Sequence, residues 1–472
     1  MRTCFISMNY CGLLGVISCL IMSVSFGQAK LESTEFRFDE LMAFVKKNHP
    51  RVQSAQLELT AAEAALLMAR GGFDPKLEVD FSKKEFKNTT YYSLLNSIFK
   101  IPTWYGVEVK AGFEQADGYY VSPESTTPSM GLASAGVSVS LLQGMWINPR
   151  MADLRKAKAG LLMGKAQQKL EAIQVLYEAA VAYFQWKRAH AEKDLYEQYV
   201  DKANQRFLGV KMLIAQGDKP AIDSVEAGIA LRNRKLSLMD AQIKQTKARL
   251  ELSNYLWLEN RIPLELQEQM VPEKEGSFSV ENALPIQAVL ANDWSPLTHP
   301  KMELLQQKRV QLDTDRKLKI NQLLPRFDVG YSYLTTPNKP TEVPFSDYKL
   351  GVTFSMPLFL RKERGSLRLT RIKLQDNELD TAWEKIQLEN KVRAQKNEWN
   401  ILQQQRQLYR QLTQDHQRLL QSEERLFAMG ESSLFLVNTR ENNLITAQLN
   451  VQNVDFRYCS MQAELYRSQA TP

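Results

Sequence analysis

The chain is poor in the residues that carry out chemistry. Among its 472 residues are four cysteines and four histidines, and three of the cysteines (Cys4, Cys11, Cys19) fall in the first 29 positions, leaving Cys459 alone. One cysteine builds neither an intrachain disulfide nor a zinc site. His49 and His299 each precede a proline at a helix start and read as structural punctuation. His190 and His416 have no Cys or His at ligand spacing. A P-loop and a Gly-x-Ser-x-Gly turn are also missing, so no enzymatic activity, cofactor or metal is expected. Beyond the first 29 residues no segment reaches the roughly 18 apolar residues that a membrane helix needs. That leaves a β-barrel open. Charge of one sign is lacking too: sixty basic residues are interspersed with fifty-three acidic ones for a net +7, without a basic run, which argues against nucleic acid as a partner.

What is present begins with a leader. Arg2, the apolar stretch from Cys11 to Phe26 and the small-x-small triplet Gly27-Gln28-Ala29 form a signal peptide over residues 1–29. Cys19 lies within the apolar stretch, with no Leu three residues before it and no Gly or Ala just before it, so a free exported chain is expected rather than a lipid-anchored one. At 44% hydrophobic and 24% charged residues the remainder is built to fold.

That remainder says nearly the same thing twice. From His49-Pro50 and again from His299-Pro300, a helix-like stretch leads to one proline and an alternating strand, FDPKLEVDF at 73–81 and LLPRFDVGY at 323–331. A second strand follows in each, GVSVSLLQG at 136–144 and GVTFSMPLF at 351–359. Each pass then enters a proline-free helix, from Arg150 to about Gln216 and from Lys362 to about Met429, breaks at one glycine and resumes as helix. The division expected is a first repeat at 30–258 with its hairpin tip at 217, a linker at 259–298, and a second repeat at 299–472 with its tip at 430.

The strands alternate, so each has one apolar face and one polar or small face. Val79, Phe81, Val137, Val139, Tyr331, Val352 and Phe354 are the candidates for a lipid-facing wall. Four strands cannot close a barrel, which takes about eight, so several chains would have to pool theirs. In the helices, Leu154, Ala157, Leu161, Leu170, Ile173, Leu176, Ala180 and Phe184 make one stripe at three-and-four spacing. Each helix would reach on the order of 100 Å. Gly217 and Gly430, followed by Asp218-Lys219-Pro220 and Glu431-Ser432-Ser433, are placed to end these helices as left-handed caps at hairpin tips. The interval from Phe86 to Ser134 is far longer than its counterpart from Leu334 to Asp347. Val107, Val109 and Ala111 there alternate with Glu108, Lys110 and Gly112 and could form an additional strand. A chain that leaves the helical side and returns crosses an even number of times. Two crossings per copy are expected, with the extra segment as an external loop or short hairpin above the barrel.

In the order and spacing of these features the chain resembles the TolC-like outer-membrane channels of efflux pumps and type I secretion systems. The resemblance implies an α+β membrane protein: a homotrimer with four strands per protomer, twelve in all, continued by a long helical barrel through the periplasm. It implies the outer membrane and its lipid as the location, and a periplasmic adaptor and an inner-membrane transporter as partners. The function implied is a passive conduit that the partners open, with the 259–298 linker packed as a belt around the helices. It makes Gly217, Asp218, Gly430, Glu431 and Ser432 the adaptor-facing tips. Asp223 and Glu226, six and nine residues after Gly217, become the lining of the periplasmic entrance, and Leu436 and Thr439 stand at the same offsets after Gly430. The alternatives are that the two acids are ordinary first-turn residues favoured by the helix dipole, and that the chain is an exported coiled-coil spacer of the envelope without a channel.

Overall fold

The computed structural model describes residues 35–273, Val280, 294–338 and 346–470; the signal peptide and its three cysteines lie outside the described residues. The chain begins with β1 (Glu35–Phe36), α1 (Phe38–Asn48) and α2 (Pro50–Gly71). Four strands follow: β2 (Lys76–Phe86), β3 (Thr89–Pro102), β4 (Val107–Asp117) and β5 (Leu132–Leu142). Next come α3 (Pro149–Ala215) and α4 (Ile222–Ser253), then the short β6 (Trp257–Leu258), β7 (Ile262–Pro263) and β8 (Val271–Pro272). The second pass is α5 (Pro300–Asn321), β9 (Arg326–Thr335), β10 (Tyr348–Ser355), α6 (Arg361–Ala428) and α7 (Leu434–Gln469).

The sheet departs from expectation. It has six strands in the order β10-β9-β5-β4-β3-β2, every neighbouring pair antiparallel. The first pass supplies four of them, so the expectation of two strands per copy and four per chain is corrected to six. The extra pair, β3 and β4, spans the full height of the sheet: ten residues of β3 face β4, and eight of β4 face β5. Its turn therefore lies at the helical end, where the Trp104 carbonyl accepts a 3.0 Å hydrogen bond from Asn148 Nδ2 and the Trp104 ring stacks 4.7 Å from Phe73. An external loop or a hairpin above the barrel would have placed that turn elsewhere. The parity argument survives, because the insertion adds two crossings.

The two passes meet at β5 and β9, where Gly136 permits the approach. A Cβ at that position would run into the Tyr331 carbonyl and the Ser332 side chain.

Helix starts follow the local chemistry. His49 and His299, both buried, accept hydrogen bonds through Nδ1 from the backbone N–H of Arg51 (3.2 Å) and Lys301 (3.1 Å), while Pro50 and Pro300 fill the first helical position. Acceptance at Nδ1 requires a neutral ring, and burial, ahead of nearby Lys301 and Lys391, pulls His299 down to about 4 against the upward pull of Glu384. His49 is lowered as well, by burial and then by Arg51. The unfolded ring binds a proton near pH 6.5 and the folded ring resists it, so stability is complete above about pH 6.5 and is lost as pH falls toward 4. Between pH 7 and 4.5 a His299→Asn variant, which keeps a capping side chain, should lose about 2 kcal/mol less than the parent, read from denaturant midpoints. Equal losses would remove the role given to His299.

Helix α3, of 67 residues, is the spine. It borders α2 and α4 and also α5 and α7, while α6, of 68 residues, borders α5 and α7. The layer is four helices wide, with α2/α4 and α6 at its margins. Those margins are apolar and exposed: Ile222, Val225, Ile229, Leu236, Met239, Ile243 and Leu250 keep heptad spacing along α4, and Leu379, Trp383, Ile386, Leu408 and Leu419 follow α6. The largest core cluster forms where α1, β1 and β8 strap onto α3 around Tyr183, Phe184 and Trp186. There the Tyr183 hydroxyl donates to the Phe36 carbonyl at 2.8 Å.

Candidate functional site

Two regions concentrate the candidate residues, the sheet and the far ends of the helices. The register of the sheet brings one face of all six strands together. Leu77 stands opposite Phe99, and Phe99 opposite Ala111; Val109 faces Val137, Val137 faces Tyr331, and Tyr331 faces Leu350. Val139, Val329 and Val352 form the next row, and Phe327 and Phe354 the last. All seven candidate wall residues lie on this face. Leu77, Val79, Phe81, Val352 and Phe354 are 57–67% exposed, in a region where a soluble sheet would have a core. The opposite face carries Glu78, Asp80, Glu108, Lys110, Ser138, Asp328, Ser332, Lys349 and Thr353. Exposed aromatic residues mark both ends: Trp104, Tyr105, Trp146 and Phe359 at the helical end, and Phe86, Tyr119 and Tyr120 at the other. An apolar band between two aromatic girdles is the pattern that outer surfaces of membrane β-barrels carry.

Strand β3 was illegible because its sequence, TTYYSLLNSIFKIP, is apolar on both faces: Leu95, Phe99 and Ile101 on one, Tyr92, Leu94 and Ile98 on the other. Period two disappears from such a strand. β4 was legible through Val107, Val109 and Ala111.

At the other extremity, α3 and α6 end in matching caps. Gly217 and Gly430 have φ of +83° and +82°. The Gly217 and Asp218 N–H groups bond back to Ile214 and Leu213, and those of Gly430 and Glu431 to Phe427 and Leu426, the double closure of a Schellman motif. Ser432 Oγ also bonds to Glu423, on α6. Each tip turns the chain into a helix that runs back.

Asp223 and Glu226 sit in the first turn and a half of α4, both partly exposed. Glu226 accepts a 3.3 Å hydrogen bond from Asn438 Nδ2 on α7. Asn438 Oδ1 in turn accepts from Arg206 on α3, 3.3 Å away. Arg206 is the centre of the tip's electrostatics: Nη1 lies 2.5 Å from Glu441 Oε2, and Nη2 lies 3.4 Å from Glu424 Oε1. The Glu441 side chain is only 2% exposed. Above this group the Tyr199 hydroxyl donates to Gln448 Oε1 at 2.8 Å, and burial, reinforced by the negative charge of Glu441, pushes it up to about 12. Sequence reasoning missed Arg206 and Glu441. One signal was available: Arg206 stands eleven residues before Gly217 and Glu441 eleven after Gly430, which puts both about 16 Å above the tips.

A six-stranded antiparallel sheet with one continuous apolar face, set on a helical layer about 100 Å long, is the fold of outer-membrane channels of known structure. Residues 298–470 match the family described as outer membrane efflux protein, a family of transport conduits rather than enzymes. The resemblance to TolC-like channels read from the sequence thus holds in the signature of residues 298–470 and in the fold of the whole. The fold is that of the Vibrio cholerae outer membrane protein VceC (TM-score 0.65, 13% identity, 92% of this chain and 96% of that one). It is likewise that of the Campylobacter jejuni CmeC outer membrane channel (0.64, 13%, 92% and 85%) and the Neisseria gonorrhoeae MtrE outer membrane channel in its open state (0.64, 12%, 92% and 89%). A comparison with curated proteins finds no match.

Proposed function

We propose that three copies of this chain form a conduit from the periplasm through the outer membrane, opened at its tip by a periplasmic adaptor and driven by an inner-membrane transporter. The observation that carries the reading is the six-stranded sheet, apolar on one continuous face, with open edges at β2 and β10. Lipid does not tolerate unpaired edges. β2 runs away from the helices and β10 back toward them, so β10 of one copy is antiparallel to β2 of the next, and a closed ring follows from repeating that pairing. Three copies make eighteen strands rather than twelve. Widths support the count: six strands about 4.8 Å apart and tilted about 40° occupy roughly 37 Å of perimeter. Four helices about 9 Å apart occupy nearly the same. Sheet and helices thus subtend equal arcs, and an eighteen-stranded ring leaves an aqueous bore.

In this assembly the apolar margins of α4 and α6 meet between copies, Asp223 faces the narrow entrance, and Asp218, Glu431 and Ser432 meet the adaptor. The signal peptide at 1–29 delivers the chain to the periplasm. The test is the mass of the detergent-extracted protein with its conductance in a planar bilayer. Discrete conductance from a trimer is expected, with cation preference reduced severalfold in Asp223→Ala. A monomer that never inserts would end the reading, whereas a channel indifferent to Asp223 would remove that residue alone from the entrance.

A further inference from the structure

Just below the wall, on the helical side, lies a groove of about 930 Å³ between α3, α5 and α6. Its lining is partly apolar, with Leu162, Val310, Ile320 and Leu374, and partly cationic, with Arg155, Lys158, Arg309, Arg316, Lys317 and Arg371. Two acids face these six cations. Asp313 is engaged by Arg316 at 2.5 Å and Lys317 at 2.8 Å, and Glu378 by Arg309 at 3.2 Å. Arg155, Lys158 and Arg371 make no ion pair among the described residues.

The start of α6 points the same way. Arg361, Lys362, Arg364 and Arg368 fall within its first eight residues with one acid, Glu363, among them, are exposed, and form no ion pair among the described residues. Cations at a helix N-terminus oppose the macrodipole. Leu360, at the N-cap, offers no side-chain hydrogen bond.

Position selects the anion. α3 begins directly after β5, α5 ends directly before β9, and α6 begins directly after β10. At 1.5 Å per residue, Arg155 and Arg316 therefore lie about 8–9 Å along their helices from the ends nearest the sheet, and Lys158 and Arg371 about 14–15 Å. The aromatic girdle of Trp104, Trp146 and Phe359 sits immediately above. Lys158, 25 residues or close to seven full helical turns before Tyr183, shares the α3 face that α1 and β1 cover. Those elements would block a bore, so this face is the outside of the proposed tunnel.

We propose that the groove binds an anionic phospholipid of the periplasmic leaflet, its phosphate held by Arg155, Lys158 and Arg371 and its acyl chains rising past Ile320 onto the apolar wall. This rests on the outer-membrane reading above. Arginine forks suit phosphate oxygens, the apolar part of the lining suits chains, and basic pockets at a membrane boundary hold lipid headgroups.

The test is native mass spectrometry of the full trimer titrated with cardiolipin, phosphatidylglycerol or phosphatidylcholine, with conductance measured on the same preparation. Cardiolipin and phosphatidylglycerol should bind at least tenfold more tightly than phosphatidylcholine, and Arg155→Gln/Lys158→Gln/Arg371→Gln should abolish that preference while conducting as the parent does. Arg371→Gln alone, the milder change, should weaken it severalfold and guards against misfolding of the triple variant. A conducting trimer without headgroup preference, or a triple variant that keeps it, overturns the proposal and leaves the channel standing. Displacement of the lipid by glycerol phosphate or by acidic cell-wall muropeptides at equal concentration would assign the groove to a soluble anion or to the wall polymer, and overturns it also. A protein that fails to insert sinks the channel first.

Discussion

Arginine at Val137 should abolish the membrane-extracted oligomer, while arginine one residue on, at Ser138, should leave it intact. Val137 is the middle residue of β5, paired with Val109 on one side and Tyr331 on the other, within the apolar face. A guanidinium at the lipid midplane of a barrel costs about 2–4 kcal/mol. The penalty recurs in every copy, so a trimer bears it three times. Ser138, paired with Glu108 and Gly330, lies on the polar face, where an added cation meets water and a carboxylate. Ser138→Arg should therefore insert normally and shift ion preference toward anions. Yield from the outer-membrane fraction and single-channel recording read both variants. If Ser138→Arg were the one excluded, the wall would face the other way; if neither were, the sheet would not be in lipid.

Replacement of Arg206 by alanine should loosen the tip. Glu441 would be left buried, its Oε1 already without a hydrogen-bond partner, and its Oε2 would lose the guanidinium. Breaking a buried pair from one side costs about 3–5 kcal/mol, because the remaining charge is uncompensated. The pair joins α3 of the first hairpin to α7 of the second, so the strain is relieved most easily by local separation of the two hairpins near their tips. Expected are amide exchange in residues 430–445 faster by two orders of magnitude or more and a several-fold rise in conductance. The double change Arg206→Ala/Glu441→Leu removes the stranded charge and should recover most of the protection, a coupling that a mutant cycle isolates. Exchange unchanged in Arg206→Ala would mean that the network does not hold the tip.

Legibility followed the range over which each feature is encoded. The caps at Gly217 and Gly430 were readable because a left-handed residue and its polar followers act within six positions. The helix starts at His49 and His299 were readable for the same reason, as Ncap-proline pairs. The shared face of the seven apolar strand residues was readable by alternation. What failed was a strand apolar on both faces, β3, and with it the strand count. The candidate site was legible less evenly: Asp223 and Glu226 were proposed by offset from a glycine, and the structure ties Glu226 to Asn438, more than two hundred residues away. Arg206 and Glu441 were invisible as a pair, since neither stands in a motif and 235 residues separate them.

By itself the sequence determined the order of the long helices and of the four repeated strands, the glycine-capped hairpins, the alternation that gives those four strands two unlike faces, and the want of catalytic motifs. Periodicity and capping are properties of neighbours along the chain, so they survive without a fold. Only the tertiary structure decided that β5 pairs with β9, that the insertion crosses the whole sheet, that Arg206 meets Glu441, and that cations from three helices converge on one groove. Those are properties of neighbours in space, and a chain that folds back over about 100 Å brings together residues whose separation in sequence carries no trace of it.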